Sequence, residues 1–471
     1  MEEALGSVAR VSVRPMSTVV TSRPPPTGPS GKFGVRNLVR FVRGNLPWLQ
    51  SLATEHGDIV RMRMLGSWWF IVSHPDDIER MLVKDARVMR RDSAIEIVRR
   101  VLGRGLLTSD GDLWKRQRKL MSQAFTPKRI AEYATAMVRV GDAALGRWRD
   151  GATTNLHQEM SRLTMEVVAD VLFGASMDAT DVETVSGAME VANEFFSGSP
   201  EAMLKIPKWV PTPRNVGMNR AVAALDRIVY DIIAKRREGL GGSPEPRSDL
   251  LGTLLAARDD DGAGMSDIQL RDEVMTLFLA GHETTSLTLA HALYLVSLNP
   301  EIEQRLSDEI TKVLGGRLPK AEDARSLPLT EWVLKETMRL YPPAWSTGRE
   351  TTEPYEIRGH KIPVGSQLMA SQWIVHRDAR WYPDPERFDP DRWSPERAKD
   401  IPRYAYFPFG GGPRVCIGNH FAMMEATLLL AMVVQRFRVE LLPGQKLELA
   451  PAVTLRQKGD GLLVRTLTRR T

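Results

Sequence analysis

A chain of 471 residues, 42% hydrophobic and 26% charged, can bury a large core, and its composition excludes a disordered or fibrous protein. Its single cysteine excludes an intramolecular disulfide framework and suits a reducing compartment. No apolar run reaches the ~18 residues of a spanning helix, and a net charge of +6 over this length gives no support to nucleic-acid binding.

In chain order, residues 1–30 read as a flexible tail. Arg10, Arg14 and Arg23 break any apolar spacing, and Pro24 to Pro26 with Pro29 stiffen the exit into an extended linker. Glu2 and Glu3 stand where a signal peptide carries positive charge, so a cytoplasmic location is expected. From Leu46 a short helix leads to Gly57, Ile59 to Met64 alternates as a strand, Gly66-Ser67 turns, and Trp68 to Val72 returns. Ser73-His-Pro-Asp-Asp-Ile78 has the proline and acids of a helix start. Residues 87–119 gather ten basic groups, among them Lys115, Arg116 and Lys119, against four acids. Such a stretch steers an acidic partner, binds phosphate or nucleic acid, or is simply a solvated face.

Beyond it the pattern is mostly helical, broken by loops at 241–246 and 259–262. Strand-like pieces return only at 356–363, 367–374, 437–441 and 462–467. The sum is a mainly α protein with a small β region drawn from both ends of the sequence. That layout favours a single domain over residues 31–471, where length alone suggests two or three.

The longest helical run starts at Ser266, an N-cap followed by Asp267, and continues to about Leu298. It spans about 50 Å, enough to cross the molecule, so its middle should be apolar. Instead it reads Ala280-Gly-His-Glu-Thr-Thr-Ser286. Glycine costs about 1 kcal/mol in a helix interior, and a buried carboxylate without a partner costs more. Such violations mark functional or strained sites. Gly281 lets a flat group approach the backbone, and Thr284 can turn its hydroxyl onto a carbonyl one turn earlier. The alternative is a surface helix showing a polar face. Further on, Glu336 and Arg339 stand three apart on one helical face, a spacing that surface helices also use.

The cysteine lies in Phe407-Pro-Phe-Gly-Gly-Gly-Pro-Arg-Val-Cys416-Ile-Gly418, ahead of an apolar run from Phe421 to Val434. A zinc site wants companion ligands at short spacing. The glycines let backbone approach a flat partner, and a thiolate at a helix start is favoured by the dipole. Axial ligation of haem iron is one of the few roles a lone thiolate can fill. The alternative is an inert cysteine in a glycine-rich turn.

Together these residues resemble the cytochrome P-450 family of haem-thiolate monooxygenases, of the soluble bacterial type. Phe409, Gly412, Arg414, Cys416 and Gly418 match Phe-x-x-Gly-x-Arg-x-Cys-x-Gly, and residues 280–285 match Ala/Gly-Gly-x-Asp/Glu-Thr-Thr. Glu336 and Arg339 match Glu-x-x-Arg, with Arg387 completing the family's ion network, and Trp114 and Arg118 match Trp-x-x-x-Arg. The resemblance runs from about residue 31 to the end, and the cysteine pattern is its most specific part. It implies the family's fold, a triangular helical prism whose long central helix crosses the haem, with haem b as cofactor. Cys416 would ligate the metal, with Phe409, Gly410 and Gly418 around the sulfur. Trp114, Arg118, Arg349 and Arg414 would meet the haem propionates, and Ala280 and Gly281 would lie against the ring. Glu283 would relay protons while Thr284 holds a water or the oxygen being reduced. Glu336, Arg339 and Arg387 would hold the cysteine loop in place.

The resemblance also implies dioxygen and a lipophilic small-molecule substrate, with fatty acids, terpenoids or steroids and polyketides all open. The pocket lining would come from residues 92–108, 191–206, 275–285 and 343–348, including Leu106, Phe196, Phe278 and Trp345. Electrons would come from a separate ferredoxin or flavodoxin with its reductase, received near Lys115, Arg116 and Lys119 by a monomer without a membrane anchor. A haem-thiolate isomerase or peroxygenase, or a non-catalytic haem carrier, is the alternative. Neither needs the proton relay that Glu283 and Thr284 imply.

Overall fold

A computed structural model describes residues 24–31, 33–43, 46–174, 177, 179–196, 206–240, 249–258, 262–459 and 461–469. Residues 1–23 of the expected tail, the loop at 241–246 and all but Gly262 of the loop at 259–262 lie outside the described residues. Within the described part of the tail, Thr27 O accepts the Arg61 N–H at 3.0 Å, so residues 24–30 run beside the first strand.

The main sheet joins β1 (Ile59–Met64), β2 (Ser67–Val72), β3 (Met89–Arg90), β4 (Thr347–Thr351) and β5 (Gln367–Ala370) in the order β1-β2-β5-β4-β3. Only β2 and β5 are parallel. The first hairpin turns at Leu65-Gly66, one residue ahead of the expected turn, so Ser67 already pairs with Met64. The strand expected over 356–363 is a hairpin of Tyr355–Ile357 and His360–Ile362, because Arg358 and Gly359 both take positive φ and reverse the chain. The strand expected to reach Ile374 stops at Ala370 and gives way to a helical turn, Gln372–Val375.

The helices that position the site are α1 (Ile95–Leu102), α2 (Gly111–Ser122), α3 (Leu156–Phe173), α4 (Ala179–Phe196), α5 (Pro213–Leu240), α6 (Asp267–Ser297), α7 (Pro328–Leu340) and α8 (Asn419–Arg436). The central helix α6 begins where its cap predicts, with Ser266 Oγ accepting the Gln269 N–H at 3.2 Å. It is buried on nearly all sides and packs closely on α3. A Cβ at Gly281 would stand 3.2 Å from the Val168 side chain, and Thr164 Oγ1 donates to His282 O at 3.0 Å. Gly281 therefore serves helix–helix contact on the α3 side. One large apolar cluster spans α3, α6 and α8, and smaller clusters sit on either side of the sheet. Near the C terminus, β6 (Leu449–Pro451) and β7 (Leu455–Gln457) form a separate antiparallel hairpin.

Candidate active site

Cys416 sits between the turn Gly412–Arg414 and the start of α8. Its N–H donates to Phe409 O at 3.0 Å and the Gly410 N–H donates to Phe407 O at 2.9 Å, which folds the loop back on itself. Gly412 has φ 66, and a Cβ there would stand 1.9 Å from Leu82 O, so no other residue fits. The thiol is accessible, yet burial pushes it up, opposed by the Gly418 N–H and the Arg118 guanidinium. Arg118 Nη1 donates to Val415 O at 2.9 Å, tying α2 to the loop beside the sulfur.

Three guanidiniums converge next to this loop. Arg349 is 4% exposed, and burial, then the neighbouring Arg414, hold it down to about 10. Burial, then Arg349 and Arg414, hold Arg91 down to about 9, and its buried Nε has no hydrogen-bond partner among the described residues. Strand register explains the crowding. Arg90 stands opposite Glu350, where the pairing ends, and just beyond it Arg91 and Arg349 come close enough to repel. Arg414 pairs with Asp110, donates from Nη1 to Ser109 O at 3.1 Å, and lies 4.4 Å from the Trp114 ring centroid. Asp92 and Asp110 oppose the cluster, which leaves three cations facing two carboxylates. An anionic group is the partner such a cluster fits, and the carboxylates of haem propionates meet that need. Arg91 was not among the residues expected here. Its signal in the sequence was the alternation running through Met89-Arg90.

On α6 the burial breaks at one place. Ala280 is exposed, and Gly281 and Thr284 are partly so, while their neighbours are buried. Thr284 Oγ1 donates to Ala280 O at 2.8 Å, turning its hydroxyl into the helix at that strip. Glu283 is only 7% exposed, so this is not a polar surface face. Its Oε1 accepts from Thr454 Oγ1 at 2.9 Å and from Asn193 Nδ2 at 3.4 Å, and lies 3.2 Å from Arg456 Nε.

Behind the cysteine loop a buried ion network joins α7 to the segment after β5. Arg339 donates from Nε and Nη2 to the two oxygens of Glu336 at 2.9 and 2.8 Å, and both residues are 0% exposed. The second guanidinium is Arg392, at 3.3 Å from Glu336 Oε1, and not Arg387. Arg387 contributes only its main-chain carbonyl, to Arg339 Nη2 at 3.1 Å. Loop geometry decides this: residues 390–393 form a turn that aims Arg392 and the Trp393 indole N–H at the carboxylate. The network reaches the cysteine loop through His376, which the sequence reading passed over. Arg339 donates to His376 O at 2.8 Å, and the Phe407 N–H donates to His376 Nε2 at 3.1 Å. Burial, with Arg339 adding to it, holds that imidazole down to about 3, so it stays a neutral acceptor.

The sequence profile described as Cytochrome P450 matches residues 25–464. The chain belongs to the cytochrome P450 family. Among its relatives is "Cyclooctatin synthase" of Streptomyces melanosporofaciens, 38% identical over 429 residues, covering 91% of this chain and 92% of the relative. "Cyclooctat-9-en-7-ol 5-monooxygenase" of the same organism is 34% identical and covers 92% and 95%. "Pentalenene oxygenase" of Streptomyces avermitilis is 34% identical and covers 88% and 92%. A solved structure titled "Retinoic acid bound cyanobacterial CYP120A1" superposes with a TM-score of 0.81 at 27% identity, covering 95% of this chain and 100% of that one. This P450 is therefore an oxidoreductase that incorporates molecular oxygen, in a family that carries haem. No helix among the described residues is long and apolar enough to cross a membrane.

Other expected residues sort less simply. Leu102, Leu106, Phe195 and Leu277 are buried in the main cluster, and Phe196 packs on it. Phe278 stacks on Phe173 at 6.1 Å, on the α3 side of α6. Trp345 belongs to a cluster under the sheet and donates its indole N–H to Ala452 O at 3.0 Å. Residues 197–205 of the expected lining lie outside the described residues. The basic stretch is largely internal bracing. Arg99 donates to Thr108 O, Arg100 to Asn215 Oδ1 and Arg116 to Gln269 Oε1. Lys115 and Lys119 remain exposed, one turn apart on α2.

Proposed function

We propose that this P450 oxygenates a cyclic terpenoid by hydroxylation or epoxidation, on haem b, with electrons from a separate ferredoxin or flavodoxin. The accessible strip on α6 carries the reading: Thr284 bonded to Ala280 O, with a held carboxylate, Glu283, beside it. The relatives named for cyclooctatin, cyclooctat-9-en-7-ol and pentalenene support the substrate class, and the apolar stretches around Leu102, Leu106, Phe195 and Leu277 suit it.

Haem, which Cys416 would hold, would supply dioxygen activation: one oxygen atom would enter the substrate and the other would leave as water, with two electrons and two protons consumed. The chain's own residues do the rest. Cys416 provides the thiolate, since metal coordination deprotonates a thiol that burial alone pushes up. The Gly418 N–H and Arg118 moderate the sulfur. Arg91, Arg349, Arg414 and Trp114 take the anionic edge and fix the ring's orientation. Glu283 passes protons inward, and Thr284 holds the accepting water beside the Ala280 carbonyl. Lys115 and Lys119 receive an acidic electron donor. An isomerase or carrier has no use for the Glu283–Thr284 pair.

The test is a panel of pentalenene, cyclooctat-9-en-7-ol, steroids and saturated fatty acids, read by the haem spin-state shift and by incorporation of labelled dioxygen. Terpenoids should bind tightest and carry one labelled atom into product. Preference for the fatty acids would overturn the substrate class.

A further inference from the structure

The hairpin β6–β7 lies 171 residues from Glu283 in sequence, yet supplies two of the three groups on that carboxylate. Alternation along an extended strand explains how. Thr454 and Arg456 flank Leu455, so they share one face and Leu455 takes the other. Leu455 is 0% exposed, packed in the cluster under the sheet, and its N–H donates to Pro343 O at 2.8 Å. The indole of Trp345 donates to Ala452 O in the same hairpin. One short hairpin thus grips segment 343–345 on one side and the acid of α6 on the other. Among the described residues, the hydrogen bonds from Thr454 and Asn193 and the ion pair with Arg456 all meet Oε1, and none of these contacts falls on Oε2. The other titratable groups near Arg456 are His157 and His282. Burial lowers both, pushing His157 down to about 4, so both stay neutral and add no positive charge beside the guanidinium.

We propose that Thr454 and Arg456 are positioning residues for proton delivery: they anchor Oε1 of Glu283 so that Oε2 is the oxygen that carries the proton, and they tie its placement to segment 343–345. The inference rests on the reading of Glu283 as the proton relay. The proton leaves Oε2 for the water held by Thr284 and is replaced from solvent, and no bond to Oε1 need break. Losing the anchor lets the carboxylate turn away. Reduced oxygen then escapes as hydrogen peroxide, which takes the same two electrons and two protons without cleaving the O–O bond.

The test uses the haem-loaded, full-length protein, and its first arm needs no organic substrate. Hydrogen–deuterium exchange of residues 449–457 in the ferric state is compared between wild type and Glu283→Ala. Loss of the anchor should raise exchange there by roughly tenfold, as local opening becomes easier, while the main sheet is unchanged. Next, with dioxygen, pentalenene and a surrogate ferredoxin and reductase, the fraction of electrons recovered as peroxide and the solvent isotope effect on oxygen consumption are measured. The variants are Thr454→Val, Arg456→Ala, Arg456→Lys and Glu283→Gln. Thr454→Val and Arg456→Ala should raise the peroxide fraction several-fold and change the isotope effect in the direction of Glu283→Gln. Arg456→Lys, or added guanidinium with Arg456→Ala, should restore part of it, which a merely structural loss would not allow. Unchanged exchange, or a silent Thr454→Val and Arg456→Ala beside a responsive Glu283→Gln, overturns the anchoring proposal alone. A silent Glu283→Gln overturns the relay reading and this inference with it.

Discussion

Arg339→Met removes a buried, heavily connected side chain behind the cysteine loop. Its guanidinium makes five hydrogen bonds, two to Glu336 and one each to the carbonyls of His376, Pro385 and Arg387. Methionine fills similar volume and donates nothing. Glu336, 0% exposed, would keep Arg392, the Trp393 indole and the Asp389 N–H but lose its bidentate partner. Breaking a buried pair by removing one member costs about 3–5 kcal/mol, a large share of a total of about 5–15 kcal/mol. The damage should pass through His376 to Phe407 and loosen the thiolate loop. Denaturant unfolding of the haem-loaded protein measures the loss, and the carbon monoxide complex shows whether thiolate ligation survives. Asp112→Ala, which breaks only the exposed Lys115–Asp112 pair, should change neither. A loss under about 1 kcal/mol for Arg339→Met, with an intact thiolate spectrum, would refute the view that this network holds the loop.

Three further outcomes follow from the same geometry. Burial pushes Glu425 up to about 8, so between its unfolded value of about 4.3 and that point the native state holds a proton the unfolded chain has lost, and stability falls as pH rises. Glu425→Gln should flatten that decline and stabilise the protein near pH 8; above about 6.5 a residual slope of the same sign belongs to Glu273, also pushed up to about 8, whereas below it the buried, neutral His157, His291 and His376 add a slope of the opposite sign. Unfolding measured from about pH 5 to 8 checks it. Arg91→Met should act with opposite signs: the haem-free protein melts higher because a crowded cation is gone, and the loaded protein releases haem faster to an acceptor globin. Lys115→Glu with Lys119→Glu should slow reduction by an acidic ferredoxin and flatten its salt dependence, read by stopped-flow at several ionic strengths.

What could be read from the sequence was whatever a local rule dictates. Ser266 caps a helix because a serine hydroxyl suits an unpaired N–H, and the glycines around Cys416 announced a tight loop. Thr284 after Ala280 carried its own spacing. The unread parts depend on pairings that no local rule encodes. Arg387 and Arg392 are equally plausible partners for Glu336 until the turn at residues 390–393 aims one of them. Arg91 belongs to the site only because β3 meets β4 in one register. Gly281 suggested a flat ligand but also faces Val168, since a single missing Cβ can serve packing on the far side of the helix. Thr454 and Arg456 reach Glu283 across most of the chain, and only the folded hairpin brings them there.

The central claim is that Cys416 holds a haem iron as thiolate, opposite the Glu283–Thr284 strip. The most direct measurement is the absorption spectrum of the reduced protein under carbon monoxide. A strongly red-shifted Soret band, lost in Cys416→Ser while haem is still bound, is the predicted result. A folded, haem-loaded protein whose band sits where a neutral ligand puts it would contradict the account.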